Sequence, residues 1–497
     1  MLSALIIIPV LAVLLIGLLP KQLSASQVRS VALAITGVIL IWTIKLAFDF
    51  DLTNPNFQLQ EYLAWIPQLG LSYSLGIDGL SFPLISLSGV LTFIVIASTH
   101  GNLERPRLYY AMILLVNAAI AGAFLSQNLL LFVLFYELEL IPIYLLISIW
   151  GGEKRAYAGM KFLIYTALSG ILILAAFLGM AWLSDAGSFD YSAIQTQTFE
   201  LTTQLILLTI LLLGFGIKIP LVPLHTWLPD AYVESSPPVT ILLGGILAKL
   251  GAYGLIRFGL QLFPEAWQVV SPTLATIGVI SVLYGALTAI AQQDIKRMVA
   301  YSSIGHMGYI LVAAAAANEL SLIGAIAQMV AHGLILAILF QLVGIVEEKV
   351  GTRDLNILNG LMNPVRGLPL TSSLLIMAGM ASAGIPGLVG FVAEFPVFQG
   401  TFSVFPIHSL LCIIASGLTA VYFVILLNRT CFGKLDNKLA YYPKVTLSEQ
   451  APALILAVFI FILGIQPTWL FRWMEPTAQA MVIALNQSVP TQIAIKQ

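Results

Sequence analysis

Charge is scarce in this 497-residue chain: Asp, Glu, Lys and Arg together make up 9% of it, against about 25% in an ordinary soluble domain. So few charges cannot clothe a water-facing surface. With 59% hydrophobic residues, the deficit excludes a soluble globular protein and implies an all-α integral membrane chain. A net charge of -1 gives no sign of a nucleic-acid partner. Cysteine is scarcer still, with only Cys412 and Cys431, and neither belongs to a paired Cys or Cys/His spacing that would hold zinc, an iron-sulfur cluster or haem. Redox chemistry, if any, is therefore expected outside this chain.

What the sequence does have is long apolar runs. Met1 to Leu19 lacks the basic n-region and small-residue cleavage pattern of a signal peptide, and reads as a retained first span. Further windows near residues 30–47, 78–98, 108–126, 128–149, 161–183, 203–224, 238–259, 269–291, 297–317, 321–344, 368–395, 403–428 and 452–474 bring the expectation to fourteen spans. Short cytoplasmic loops collect Lys and Arg, and the loops of this chain alternate accordingly. Sixteen basic residues, among them Lys21, Arg105, Lys154, Arg297, Lys349 and Lys438, fall on one side; Arg257, Arg472 and Lys496 fall on the other. Both termini are then expected outside. Lys45, near a span end, can snorkel to the interface.

Two spans are interrupted. Span 7 contains Gly214, Gly216, Pro220 and Pro223, and span 12 contains Gly384, Pro386, Gly387 and Gly390, each set sufficient to free backbone groups within the membrane. The breaks lie five spans apart. If spans 4–8 recur as spans 9–13, the odd repeat length inverts the second copy, and paired broken helices point to a transport site; ordinary proline kinks are the alternative. The expected divisions are 1–107 for helices 1–3, 108–259 for the first five-helix repeat, 260–428 for the inverted second, and 429–497 for helix 14 and the tail.

Ionisable residues inside a membrane are costly and face a protein or water-filled interior. Glu137 and Glu139 both interrupt the apolar run of span 5, but at 100° per residue they face different directions. Pairing Glu137 with Lys218 of span 7 would relieve both. At about 4 Å and an effective dielectric near 20 the attraction is about 4 kcal/mol, and a carboxylate able to move away would make the lysine a switchable proton site. A static salt bridge is the alternative. Lys249, His306, His332 and Glu394 extend the series into a relay across the chain, with Glu394 expected nearer the outer face; a lone membrane histidine is more often a hydrogen-bonded helix contact, the alternative for each histidine singly. His225, beside the span 7 break, could cap freed backbone groups.

"YELELIPIYLL", "KIPLVPLHTWLPDA", "GGILAKLGAYGLIRF" and "YSSIGHMGY" together resemble the antiporter-like membrane subunits of respiratory complex I and of its photosynthetic relative in cyanobacteria and chloroplasts, the chain 4 group in particular. The resemblance covers nearly the whole chain. It implies Glu137 and Lys218 as the coupling pair, Lys249 as the next relay lysine, and a glutamate, Glu394, where other antiporter-like chains carry lysine. It also implies a proton-translocating membrane-arm subunit of a ferredoxin or NAD(P)H:plastoquinone oxidoreductase in the thylakoid membrane, with lumenal termini. Quinone, iron-sulfur clusters and the electron donor would reside in other subunits, and the neighbours would be other antiporter-like and membrane-arm subunits and lipid. Where the family often has histidine after "WLPDA", this chain has Tyr232, which resembles the forms devoted to CO2 uptake and implies a CO2-hydration module as a partner. A subunit of a multisubunit Na+/H+ antiporter and a non-conducting structural subunit are the rival expectations.

Overall fold

The structure, a computed structural model, describes residues 1–18, 20, 23–100, 103–184, 186–434 and 442–487. Lys21, Lys438 and Lys496 lie outside them. Among the described residues, twelve helices are long and apolar enough to cross a membrane, and they fill the second to eleventh, thirteenth and fourteenth expected windows. The first and twelfth windows hold the shorter apolar helices Ala4–Leu18 and Pro369–Ser382.

The connections gather at two ends of the bundle. At one, Lys161 and Arg297 both pair with Asp230, at 2.8 and 3.4 Å, Lys349 pairs with Glu449 at 2.6 Å, and the Ile295 amide donates to the Arg353 carbonyl at 3.1 Å. This is the basic end. At the other, the Gln127 amide donates to the Ser74 carbonyl at 2.8 Å, Tyr191 Oη to Gln261 at 2.9 Å, and the Gly79 amide to Thr477 at 2.9 Å. The grouping follows the odd and even loops expected from basic-residue alternation.

Burial grades from centre to periphery. Glu319–Val350 and Pro237–Leu260 are enclosed along their whole apolar windows, whereas less than half of the apolar window is buried in Ala25–Asp49, Arg155–Leu183 and Pro406–Thr430. Their outward side chains, such as Ile41, Trp182 and Ile407, form an apolar exterior that water would penalise and lipid accepts.

Two elements depart from the expected succession of spans. Between the second and third spans, Gln58–Ile66 and Leu71–Ile77 form an antiparallel hairpin; alternation is poor in this stretch, and the pairing is set by the turn at Gly70, whose φ of 64° suits glycine. The expected last span, 452–474, instead ends at Ile465, and a separate helix, Thr468–Gln487, starts beyond Pro467. Proline cannot supply the amide that would continue the ladder. Trp473 of this last helix joins the stacked rings of Phe50 and Phe82, at ring separations of 5.5 and 4.8 Å, so the helix lies over the hairpin end.

Three interruptions position the ionisable residues. Span 7 runs as Leu201–Lys218 and resumes at Trp227–Glu234; Trp227 Nε1 donates to the Ile217 carbonyl at 2.8 Å, satisfying a group the break had freed. Span 12 runs as Pro369–Ser382 and Val389–Phe402, with Gly384 and Gly387 at φ of 70° and 89°. The third was not expected: span 5 splits into Leu129–Leu138 and Leu140–Trp150 with Glu139 at the junction. Pro142 lacks the amide that would bond the Leu138 carbonyl four residues back.

Candidate functional site

Lys218 is the last residue of its helical segment and is 1% exposed. Its ammonium donates to Glu139 Oε1, a carboxylate that is fully buried, and it lies 4.8 Å from the Tyr136 ring centre, where the π face favours a cation. The expected partner, Glu137, is thereby corrected to Glu139. Two residues apart, the carboxylates face different directions: Glu139, at the span 5 junction, meets Lys218, and Glu137 lies on the side facing Gly170, where a side chain would collide with its Oε1. Glu137 stays within Coulombic reach of Lys218 without contacting it. Removing one partner of a buried pair costs about 3 to 5 kcal/mol, so Glu139 and Lys218 hold one another in place.

Lys249 occupies the middle of span 8, a helix of unusual geometry. Two π-helical segments, Leu243–Leu247 and Leu255–Leu260, flank the α-helical Ala248–Gly254. A π-bulge widens the turn and leaves carbonyls poorly bonded, and such bulges concentrate at functional positions. Lys249 Nζ reaches back to the Gly244 carbonyl and lies 3.0 Å from His332 Nδ1 on span 11. Lys218 approaches the same helix at Gly251, which has no side chain to obstruct its stem.

From His332 the groups continue without interruption. The His332 and His306 rings are 5.2 Å apart; His306 Nδ1 is 3.2 Å from Gln328 Nε2 and 3.5 Å from Glu394 Oε1; His306 Nε2 is 3.1 Å from Ser382 Oγ. Ser416 donates to Glu394 Oε2 at 3.1 Å. The expectation that Glu394 lies nearer the outer face is corrected: it stands level with His306, midway along the Ile295–Ala316 helix. A side chain at Gly384 would approach within 2.7 Å of Glu394 Oε2, so this glycine supplies both the turn and the room for the carboxylate.

The structure therefore joins Lys249, His332, His306 and Glu394 in one buried file, and sets Lys218, paired with Glu139 in place of Glu137, against the Lys249 helix at Gly251. Glu139 Oε2, His332 Nε2 and Gln328 Oε1 are buried without a partner among the described residues. Such groups are where enclosed water gains hydrogen bonds. His225 lies apart, edge-on to Tyr284 at 4.7 Å, and Lys45 rests on Trp42 at the exposed surface. Sequence reasoning missed Gln328 and Ser416. Gln328 had a signal, since it precedes His332 by four residues and so shares its helix face.

Residues 126–419, more than half of the chain, match the family "NADH:quinone oxidoreductase/Mrp antiporter, TM". The chain is 40% identical over 503 residues to NAD(P)H-quinone oxidoreductase chain 4 1 of Synechococcus sp. (strain JA-3-3Ab), covering 99% of this chain and 94% of that protein. It is 38% identical to chain 4 2 of Thermosynechococcus vestitus, over 98% and 93% of the two chains. Among solved structures it superposes on a chain of respiratory complex I from Thermus thermophilus with a TM-score of 0.88 and 26% identity, covering 98% of this chain and all of that one. A chain of the Mrp complex from Dietzia sp. shares the fold, with a TM-score of 0.87 at 22% identity over 97% and 99%. The sequence and the fold agree: the chain belongs to the NADH:quinone oxidoreductase/Mrp antiporter family, as a chain 4 subunit of the NAD(P)H-quinone oxidoreductase type.

Proposed function

We propose that this chain carries protons across the membrane as a membrane-arm subunit of a ferredoxin or NAD(P)H:plastoquinone oxidoreductase, with electron transfer in partner subunits. The observation that carries the reading is the unbroken run of contacts from Lys249 through His332 and His306 to Glu394, with the Glu139–Lys218 pair set against the Lys249 helix at Gly251. Both ends are acid-base pairs. If spans 4–8 recur inverted as spans 9–13, spans 5 and 7 correspond to spans 10 and 12. The first half then holds an acid on span 5 and a base on span 7, Glu139 and Lys218, and the second holds the reverse, His306 on span 10 and Glu394 on span 12.

Such pairs are suited to switching. A carboxylate beside a buried lysine stabilises the ammonium, and withdrawing it favours release of the proton. Moving one proton against about 150 mV requires about 3.5 kcal/mol, comparable with the about 4 kcal/mol attraction of a close pair at an effective dielectric near 20. In the proposed cycle Glu139 holds protonated Lys218, its displacement sends the proton to Lys249, and the histidines pass it to Glu394. Glu137, within reach of the same lysine, is an alternative resting place for the charge.

The orientation we propose puts the basic end in the cytoplasm and the hairpin end in the thylakoid lumen, following the basic-loop rule. Tyr232, buried edge-on to Phe340 at 5.6 Å, motivates assignment to a CO2-uptake complex with a CO2-hydration partner; deletion of the chain is then expected to slow growth at limiting CO2 and spare respiratory electron flow. The proton reading is tested with Lys249→Met in the intact complex reconstituted into vesicles. Quinone reduction with much reduced proton transfer supports it. Unchanged proton transfer per electron contradicts it, and sodium-dependent proton movement without an electron donor would favour an antiporter.

A further inference from the structure

The hairpin end of span 8 holds a buried cation that the file does not use. Arg257, expected in a loop, is instead 3% exposed inside the helix and pairs with Asp78 at 2.5 Å. Lys249, Tyr253, Arg257 and Gln261 follow at four-residue intervals and so share one helix face. They lead from the relay toward a cavity of about 610 Å³ at the hairpin end. Exposed Asn56, Gln60 and Gln197 line the mouth of this cavity, and buried Asp78 and Arg257 line its floor. Arg257 and Lys249 are eight residues apart, roughly 12 Å along a helix. A polar file of this kind threatens a short circuit, because a proton returning from the hairpin end could reach Lys249 and discharge the gradient.

The donors and acceptors oppose that path. A guanidinium has five N–H donors, no acceptor, and does not give up its charge in proteins. Here Nε donates to Tyr253 Oη at 3.4 Å, Nη1 to Gln261 at 3.0 Å and Nη2 to Asp78. Tyr253 spends its single O–H on the Phe124 carbonyl at 3.2 Å. A proton hopping inward from Gln261 meets a group that cannot accept it, and the hydroxyl beyond is committed to the Phe124 carbonyl. The plug is anchored on both sides. Asp78 Oδ1 accepts from the Leu80 and Ser81 amides at 3.2 and 3.0 Å, and the Phe57 ring lies 4.7 Å from the guanidinium.

We propose that Arg257, held by Asp78, is a proton insulator that closes the first half of the chain to the hairpin end, so that protons leave by way of Glu394. The proposal rests on the relay reading, since insulation is needed only where Lys249 carries protons.

The test is passive proton leak through vesicles containing the intact complex, with an imposed pH gradient and no electron donor. Arg257→Lys keeps a cation near Asp78 but installs an amine able to release its proton when buried. Asp78→Asn with Arg257→Gln removes both charges together. Each is expected to raise the leak by about tenfold, equivalent to a barrier lower by about 1.4 kcal/mol, without slowing quinone reduction. Adding Lys249→Met is expected to abolish the extra leak. A merely structural ion pair predicts a tight membrane with Arg257→Lys, and that result overturns the proposal, as does a leak indifferent to Lys249. Should the double variant not assemble, Arg257→Lys decides the matter alone. The relay fails separately, by normal pumping during turnover with Lys249→Met.

Discussion

Lys249 Nζ and His332 Nδ1 stand 3.0 Å apart, one on the last span of the first expected repeat and the other on a central span of the second. This is where the two halves of the file meet. Lys249 has a backbone acceptor on its own helix, the Gly244 carbonyl, and a titratable acceptor across the boundary. Replacing His332 by Leu removes the second and keeps the volume. Proton transfer per electron is expected to fall about tenfold or more, one lost transfer step costing at least about 1.4 kcal/mol, while subunit content stays normal. Vesicle pH measurements during quinone reduction check it.

Glu137 and Glu139 are expected to differ in what they contribute to stability. Glu139→Gln leaves Lys218 buried without its carboxylate, and breaking such a pair costs about 3 to 5 kcal/mol. Glu137→Gln breaks no contact ion pair and should cost under about 1 kcal/mol. Thermal unfolding of the purified complex, followed through dissociation of this subunit, should show a clearly lower Tm for the first variant only. Equal effects would return Glu137 to the role of partner.

Gly384→Ala would test how closely the span 12 break governs Glu394. At a φ of 70° an alanine is strained by about 1 to 2 kcal/mol, and its methyl would press on Glu394 Oε2. The expected outcome is an assembled complex with impaired proton transfer. Full activity would show that the carboxylate position is not critical.

Cysteines introduced at Lys154 and Asp190 should react with a membrane-impermeant thiol reagent from opposite faces. Lys154 belongs to the basic end, where its amide bonds Glu234 at 2.8 Å. Asp190 belongs to the hairpin end, bonding Asn128 at 2.9 Å. Labelling of both from the same face would contradict the two-ended arrangement.

Much of this was legible in the sequence because its signals were local. Apolar windows place spans, lysine and arginine counts sort loops, and paired Gly and Pro mark the breaks that follow Lys218 and Ser382. The residues of the file were legible too, since ionisable groups in apolar helices have few other reasons to be there. What was not legible depended on packing. The choice between Glu137 and Glu139 turns on which face of span 5 packs against Lys218 and which against Gly170, and the π-segments around Lys249 carry no motif. The hairpin lacks clean alternation, and Arg257 read as a loop cation because its partner, Asp78, is 179 residues away.

The central claim is that the buried file moves protons, and its head offers the most direct measurement. In vesicles holding the intact complex, with subunit content confirmed, proton transfer per electron is compared for Lys218→Ala, Glu139→Gln and the double variant. Both single variants should lower it by about tenfold or more, a barrier change of at least about 1.4 kcal/mol. The double variant should be little worse than either, since groups acting as a unit lose function non-additively. Wild-type stoichiometry in both assembled single variants would contradict the account and leave Glu139 and Lys218 as a structural salt bridge.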